Sequence, residues 1–109
     1  MMRTLTDATF QIATMDNKAI VLFTSSSCPA CNAVKPVLET YHEETNTPVY
    51  VLNVEESIYA HKLGIRALPT TILYKKGEEV DRIIGAFKRS ELSSWSRPET
   101  PAYYHIKRR

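Results

Sequence analysis

Two short apolar runs, separated by one long helical stretch, constrain the fold of this chain more than any other feature. Residues 19–23 and 49–52 are continuous apolar segments, which is typical of strands buried on both faces of a sheet. Between them, apolar residues recur with helical spacing from Pro29 to about Glu44, and Pro29 suits the first helical position because its missing N–H costs nothing there. This order predicts an α/β fold with parallel pairing at its centre.

The remainder of the chain supplies shorter elements. Further strands are predicted at residues 2–5, 70–74 and 80–84, with a hairpin through residues 75–79. Shorter helices are predicted at residues 7–15, 57–63 and 90–95. Thr6 is expected to cap the first of these helices and Gly64 to end the second. Pro98 and Pro101 prevent the third from extending, and Pro36 is expected to kink the long helix.

Length and charge indicate one domain with a basic end. A chain of 109 residues, 43% hydrophobic and 24% charged, is typical of a single soluble domain. Its net charge is +2, yet residues 88–109 hold six basic and two acidic residues, so the excess is in the tail. We predict a domain at residues 1–96 and a flexible basic tail at residues 97–109. A solvated tail is the preferred interpretation, and nucleic acid is not an expected partner.

The sequence contains no recognisable targeting or membrane segment. The polar start of the chain lacks a signal-peptide core, and its longest apolar run, residues 19–23, is too short to cross a bilayer. We therefore expect a cytoplasmic protein without a membrane partner. In that reducing compartment, an isolated cysteine pair is catalytic or metal-binding rather than structural.

The two cysteines, Cys28 and Cys31, lie at the start of the long helix. A bridge between them closes so short a loop that it restrains little of the unfolded chain. Cys28 is expected at the exposed helix cap, where free N–H groups and the helix dipole favour a thiolate, and Cys31 one turn further in. We expect Cys28 to attack a disulfide and Cys31 to resolve the mixed disulfide that forms.

Metal binding is the main alternative use of such a pair. A zinc site needs about four ligands, usually two cysteine pairs or one pair with two closely spaced histidines. The three histidines of this chain, His42, His61 and His105, are scattered singly. We therefore expect neither a metal nor a cofactor.

Beyond the dithiol, a series of short motifs resembles the thioredoxin family from about residue 5 to residue 95. The matching motifs, in chain order, are Cys28-Pro29-Ala30-Cys31, Gly64-Ile65-Arg66-Ala67-Leu68-Pro69-Thr70, Lys76-Gly77-Glu78 and Gly85-Ala86. The resemblance implies a thioredoxin fold, with a central mixed sheet of four to five strands flanked by about four helices.

The resemblance also assigns roles around the dithiol. It implies a cis peptide bond before Pro69, in a loop beside the two cysteines, and X–Pro bonds are almost the only ones that adopt this form. The Leu68 backbone would pair with an extended substrate strand, a form of β-augmentation. Gly85 would let the substrate approach closely, and Pro29 would belong to the same substrate-binding surface.

The chain departs from the family at two positions near the dithiol. Ser27 stands where the family has a tryptophan, and Leu22 replaces a buried acidic residue that is thought to assist deprotonation of the resolving thiol. Cys31 is therefore expected to be activated more slowly or by another group. Ser27 and Lys35 are candidates for tuning the thiols. The serines also suit a simple polar loop, and a solvent-exposed lysine is the preferred interpretation of Lys35.

Three functions are compatible with the sequence. The preferred one is a protein-disulfide reductase that is recharged by a flavin-dependent thioredoxin reductase. A glutaredoxin-like protein reduced by glutathione is the second, suggested by Pro29 and Leu22, although residues 85–88 lack the paired glycines and acidic residues that glutaredoxins use to hold glutathione. The third is a docking subunit of a larger assembly, reaching a partner through the basic tail.

Overall fold

The computed structural model describes residues 2–96, and its centre is one mixed sheet. The five strands of this part of the chain are β1 (Arg3–Leu5), β2 (Ala19–Thr24), β3 (Val49–Asn53), β4 (Thr70–Lys75) and β5 (Glu78–Ile84). They are ordered β1-β3-β2-β4-β5. The pairs β1–β3 and β3–β2 are parallel, whereas β4 runs antiparallel to β2 and β5 antiparallel to β4.

Helices cover both faces of this sheet. The α-helices are α1 (Phe10–Thr14), α2 (Pro29–Thr45) and α3 (Tyr59–Lys62), and 3₁₀ helices lie at Val54–Glu56 and Arg89–Ser96. The α/β class, the mixed sheet and the number of flanking helices that the sequence predicts are confirmed.

The core lies in two layers, one on each face of β2. Every residue of β2 is buried, which explains its continuous apolar sequence. On one face, Ile20 and Leu22 pack with the buried stripe of α2 and with Leu92 and Trp95 of the last 3₁₀ helix. The other face carries a second cluster, formed by Leu5, Phe10, Val21, Phe23, Leu52, Ile72 and Tyr74.

The first helix is shorter than predicted, and Thr6 is not its cap. The Thr6 carbonyl accepts the N–H groups of Thr9 at 3.1 Å and Phe10 at 3.0 Å, while the Thr6 N–H donates to the Thr9 hydroxyl at 2.9 Å. These local bonds make residues 7–9 a turn, so that the α-helix begins only at Phe10.

The third helix is also shorter than the predicted range of residues 57–63. The Asp7 carboxylate accepts bonds from the Ser57 hydroxyl at 2.5 Å and the Ile58 N–H at 3.2 Å, and Ser57 is extended. The helix therefore begins at Tyr59. Its predicted end is confirmed, because Gly64 has a φ of +68° and follows directly on the last turn.

The last two predicted elements differ in extent or type. Lys76 and Gly77 have φ values of 52° and 85° and close a two-residue hairpin, so β5 begins at Glu78 rather than at residue 80. The predicted α-helix at residues 90–95 is instead the 3₁₀ helix Arg89–Ser96, in which the Trp95 indole donates to Asp81 at 2.9 Å. Pro36 lies inside α2 as predicted, and the tail at residues 97–109 lies outside the described residues.

Leu92 tests whether this last 3₁₀ helix is an integral part of the core. Its side chain is completely buried, so Leu92→Ala is expected to lower the free energy of unfolding by about 2–5 kcal/mol. Urea denaturation followed by circular dichroism measures the change. Ser93→Ala, at the exposed neighbouring position, is the matched control. Equal stabilities of the two variants would show that the segment contributes nothing to the core.

Candidate active site

Cys28 and Cys31 form a disulfide at the N-terminus of α2, with their Cα atoms 5.3 Å apart. Cys28 is the N-cap, as predicted, and its sulfur accepts a hydrogen bond from the Cys31 N–H at 3.2 Å. Cys28 is half-buried, whereas Cys31 is completely buried. The two sulfurs therefore differ in accessibility, and the more accessible one sits where a negative charge is favoured.

The loop between β2 and α2 carries the dithiol and is held to the neighbouring strand connection. The Ser26 hydroxyl donates to the Glu55 carboxylate at 3.0 Å, which joins the loop to the 3₁₀ helix that follows β3. Nothing in the sequence indicates this contact. The run of three serines marks a polar loop, but it does not show which hydroxyl meets a residue 29 positions away.

Pro69 lies at the same edge of the sheet as the dithiol. The Leu68–Pro69 peptide bond is cis, as the resemblance implied. Phe23 of β2 lies opposite Thr70 of β4, so the next residue of β2, Thr24, ends its strand beside Pro69. The Thr70 hydroxyl closes the loop by donating to the Ala67 carbonyl at 2.6 Å. Pro69 itself is buried.

Gly85 completes this edge of the sheet. Its N–H donates to the Pro69 carbonyl at 2.8 Å, which places the end of β5 next to the cis-proline loop. Gly85 has a φ of +91°, a conformation that a residue with a side chain rarely adopts. A Cβ atom at this position would have no heavy atom within 4 Å, so the space above Gly85 is open.

The other predicted substrate-binding residues lie on the same edge. Pro29 is exposed next to Cys28, and Leu68 is half-buried next to Pro69. The Leu68 N–H and carbonyl have no backbone hydrogen-bond partner within the described part of the chain.

The two candidates for thiol tuning are placed differently. Ser27 is exposed and directly precedes Cys28, while Lys35 is half-buried on α2, one turn beyond Cys31. The only hydrogen bond that Cys28 Sγ receives within residues 2–96 comes from the Cys31 backbone. Neither Ser27 nor Lys35 is therefore bonded to this sulfur.

Leu22, which replaces the acidic residue of the family, is completely buried in the centre of β2. It lies opposite Val51 on β3 and Thr71 on β4. The position at which the resemblance implies a buried acidic residue is therefore an apolar part of this core.

Two further properties of residues 2–96 concern membrane and metal binding. No helix in this range is long and apolar enough to cross a membrane. No group of three or more His, Cys, Asp or Glu side chains in this range is arranged to hold a metal ion.

Comparisons with known proteins agree with this geometry. The sequence profile of the Thioredoxin family matches residues 1–97. Thioredoxin from Pyropia yezoensis is 35% identical over 95 residues, covering 83% of this chain and 89% of the relative, and thioredoxin from Alicyclobacillus acidocaldarius is 37% identical over 95 residues, covering 84% and 90%. The solved structure of a mutant thioredoxin from Halobacterium salinarum superposes with a TM-score of 0.79 at 25% identity, covering 85% of each chain.

These relatives bear the name of a disulfide-reducing family, and the cysteine pair of this chain lies at disulfide distance. The comparisons do not favour the glutaredoxin-like or docking alternatives. The chain is a thiol–disulfide oxidoreductase that belongs to the thioredoxin family.

Proposed function

We propose that Cys28 is the nucleophile and Cys31 the resolving thiol of a reductase that acts on disulfides in other proteins. The observation that carries this proposal is the unequal exposure of the two sulfurs at one helix terminus: Cys28 is half-buried at the cap, and Cys31 is buried beneath it. A bulky protein disulfide reaches the first sulfur but not the second.

The reaction then has two balanced steps. The Cys28 thiolate attacks a substrate disulfide, forming a bond to one substrate sulfur and releasing the other as a thiolate that takes up a proton. Cys31 next attacks the mixed disulfide, forming the Cys28–Cys31 bond and releasing the second substrate sulfur. The substrate gains two electrons, and the dithiol loses two.

The N-terminus of α2 stabilises the attacking sulfur. In the oxidised protein, the Cys31 N–H already points at Cys28 Sγ. In the reduced protein the same donor, together with the dipole of a 17-residue helix, would favour the thiolate. Ser27 and Lys35 are secondary candidates for this role, because Ser27 directly precedes Cys28 and Lys35 lies one helical turn beyond Cys31.

Substrate recognition would use backbone rather than side chains. The unbonded Leu68 N–H and carbonyl offer an extended peptide two hydrogen bonds, and Pro69 has no N–H that could compete. Pro29 and Gly85 border this strip, and the open space above Gly85 admits the peptide main chain. Recognition of this kind accepts many sequences, which suits a general reductase.

Thioredoxin-family proteins act with a reductase partner, and we propose a flavin-dependent thioredoxin reductase rather than glutathione as the electron donor. The sequence of residues 85–88, Gly-Ala-Phe-Lys, supports this choice because it lacks the glycine and acidic pairs of a glutathione site.

We also propose a cytoplasmic location, where a reducing environment keeps the two cysteines in the reduced, reactive form. The domain is proposed to span residues 1–96, followed by the basic tail.

The roles of the two cysteines are tested by single substitutions. Cys28→Ser should reduce insulin no faster than buffer containing dithiothreitol alone, because the attacking sulfur is lost. Cys31→Ser should still make the first attack and then remain bound to its substrate. Insulin precipitation measures turnover, and mass spectrometry without reductant detects the trapped complex. Equal turnover by wild type and Cys28→Ser would contradict the proposal.

The role of the Leu68 backbone is tested with N-methylated disulfide peptides. Methylating the amide next to the peptide's cysteine removes one hydrogen bond to the protein, and KM should rise about fivefold. The same methyl group four residues away is the control, because that amide lies beyond the Leu68 strip. The proposal fails if both peptides show the same KM.

The electron donor is tested by a coupled assay that follows NADPH consumption with insulin as substrate. Thioredoxin reductase should sustain a clearly higher rate than glutathione with glutathione reductase, because the chain lacks the residues that hold glutathione. Cys28→Ser provides the blank for both donors. A higher rate with glutathione would assign the protein to the glutaredoxin-like alternative.

A further inference from the structure

Strand β4 buries two hydroxyl groups that have no hydrogen-bond partner among residues 2–96 of the oxidised protein. They are Thr71 Oγ1 and the Tyr74 phenol. An unpartnered buried hydroxyl costs free energy, because it has lost its water and gained nothing in exchange. Such a group in a native core calls for an explanation.

Thr71 lies on the face of the sheet that supports the dithiol. Its neighbours across the sheet are Leu22 on β2 and Ile83 on β5, and Leu22 in turn lies opposite Val51 on β3. Residues opposite each other in a sheet share a face. Leu22 packs in one cluster with Val34 of α2, so Thr71 belongs to the α2 side. Tyr74 belongs to the cluster on the opposite side.

Cys31 begins the buried stripe by which α2 packs on this same face. The stripe continues through Val34, Leu38 and Tyr41, and Cys31 is completely buried. Leu22 packs in one cluster with Val34, the next residue of this stripe after Cys31. The row of the sheet through Leu22 is formed by Thr4, Val51, Leu22, Thr71 and Ile83. Thr4, on the outer strand β1, is exposed, so Thr71 carries the only buried polar side chain of that row.

The next row towards the dithiol contains Thr24, whose hydroxyl is already engaged. It donates to the Ser25 carbonyl at 3.4 Å. Of these two threonines, Thr71 therefore carries the unpartnered hydroxyl, directly beside the residue that replaces the family's acidic group.

We propose that Thr71 is a positioning residue for the resolving thiol, its hydroxyl donating a hydrogen bond to Cys31 Sγ, directly or through one water, as that thiol loses its proton. The inference rests on the proposed function, in which Cys31 is the resolving thiol. A disulfide sulfur is a weak acceptor and a thiolate a strong one. The hydroxyl is therefore unpartnered in the oxidised state and gains its partner during the reaction.

The balance of the resolving step is unchanged by Thr71. The Cys31 proton passes to the departing substrate thiolate, and Thr71 keeps its own proton throughout. Its contribution is to stabilise the negative charge on Cys31 Sγ once that thiol has lost its proton, before the charge passes to the departing substrate sulfur as the S–S bond to Cys28 forms. A hydroxyl donates this hydrogen bond while remaining neutral. A neutral group is far less costly than a charged one in the apolar core around Leu22.

The test removes each of the two unpartnered hydroxyls of β4 in a separate variant. Thr71→Val keeps the shape of the side chain and should slow the resolving step about tenfold, the loss expected for a hydrogen bond to a charged group. Tyr74→Phe is the matched control, because it removes the other such hydroxyl on the opposite face and should leave the step unchanged. Burial raises the pKa of Tyr74, so its phenol is neutral under the same conditions.

The reduced protein is mixed with a fluorescent peptide disulfide at about pH 7, near the ordinary working range of such thiols, then quenched with acid. Mass spectrometry gives the fraction held as mixed disulfide, and its decay gives the rate of resolution. Thr71→Ser, which keeps the hydroxyl, should resolve at nearly the wild-type rate. If Thr71→Val fails to fold, Thr71→Ala removes the same hydroxyl and gives the same comparison.

The first step separates this inference from the proposed function. The rate at which Cys28 forms the mixed disulfide should be the same in wild type, Thr71→Val and Tyr74→Phe. If the first step is intact and Thr71→Val resolves as fast as wild type, or no more slowly than Tyr74→Phe, the role of Thr71 is refuted and the dithiol mechanism stands. If Cys28 forms no mixed disulfide in any variant, the proposed function itself fails.

Discussion

The burial of β2 on both faces is the constraint on which the rest of this structure depends. All six residues of the strand are excluded from water, so a layer of side chains must cover each face. The buried stripe of α2 and the last 3₁₀ helix supply one layer, while α1 and the residues around Tyr59 supply the other. Because α2 packs against the strand that leads into it, its N-terminus is held at the end of β2, and the dithiol is held with it.

The site is assembled by hydrogen bonds among four chain segments that meet at one edge of the sheet. Ser26 ties the dithiol loop to Glu55, and the Gly85 N–H ties the end of β5 to the Pro69 carbonyl. Each bond is modest alone. Together they hold the dithiol loop, the cis-proline loop and the end of β5 at one edge of the sheet.

The elements that could be predicted from the sequence are those whose stability is local or strongly patterned. The apolar run at residues 19–23 predicted β2, and Pro29 predicted the start of α2. Together they predicted that the two cysteines lie at the N-terminus of α2. The cis bond before Pro69 came from the family resemblance rather than from any local pattern. The bounds of α1 and β5 were missed because of local bonds around Thr6 and the tight turn at Lys76 and Gly77. The start of α3 is instead decided by a distant residue, because Asp7 reaches Ser57 across 50 positions.

The same reasoning explains why the contribution of Thr71 was not visible in the sequence. A threonine in a strand is ordinary, because branched side chains suit a pleated surface. Only the paired register shows that Thr71 faces Leu22, and only the folded core shows that its hydroxyl has no partner. What the sequence did show was the loss of an acidic group at Leu22, without any indication of which residue takes its place.

The exchange of a buried acid for Leu22 beside a neutral hydroxyl has a physical consequence for the whole molecule. A carboxyl group buried in an apolar core must either remain protonated or be stabilised by a partner, and its titration is then linked to folding. The row formed by Thr4, Val51, Leu22, Thr71 and Ile83 contains no ionisable group, so it adds no such linkage. In the role proposed for Thr71, support for Cys31 therefore comes from a neutral hydroxyl, and it would not change with pH as the support from a buried carboxyl group would.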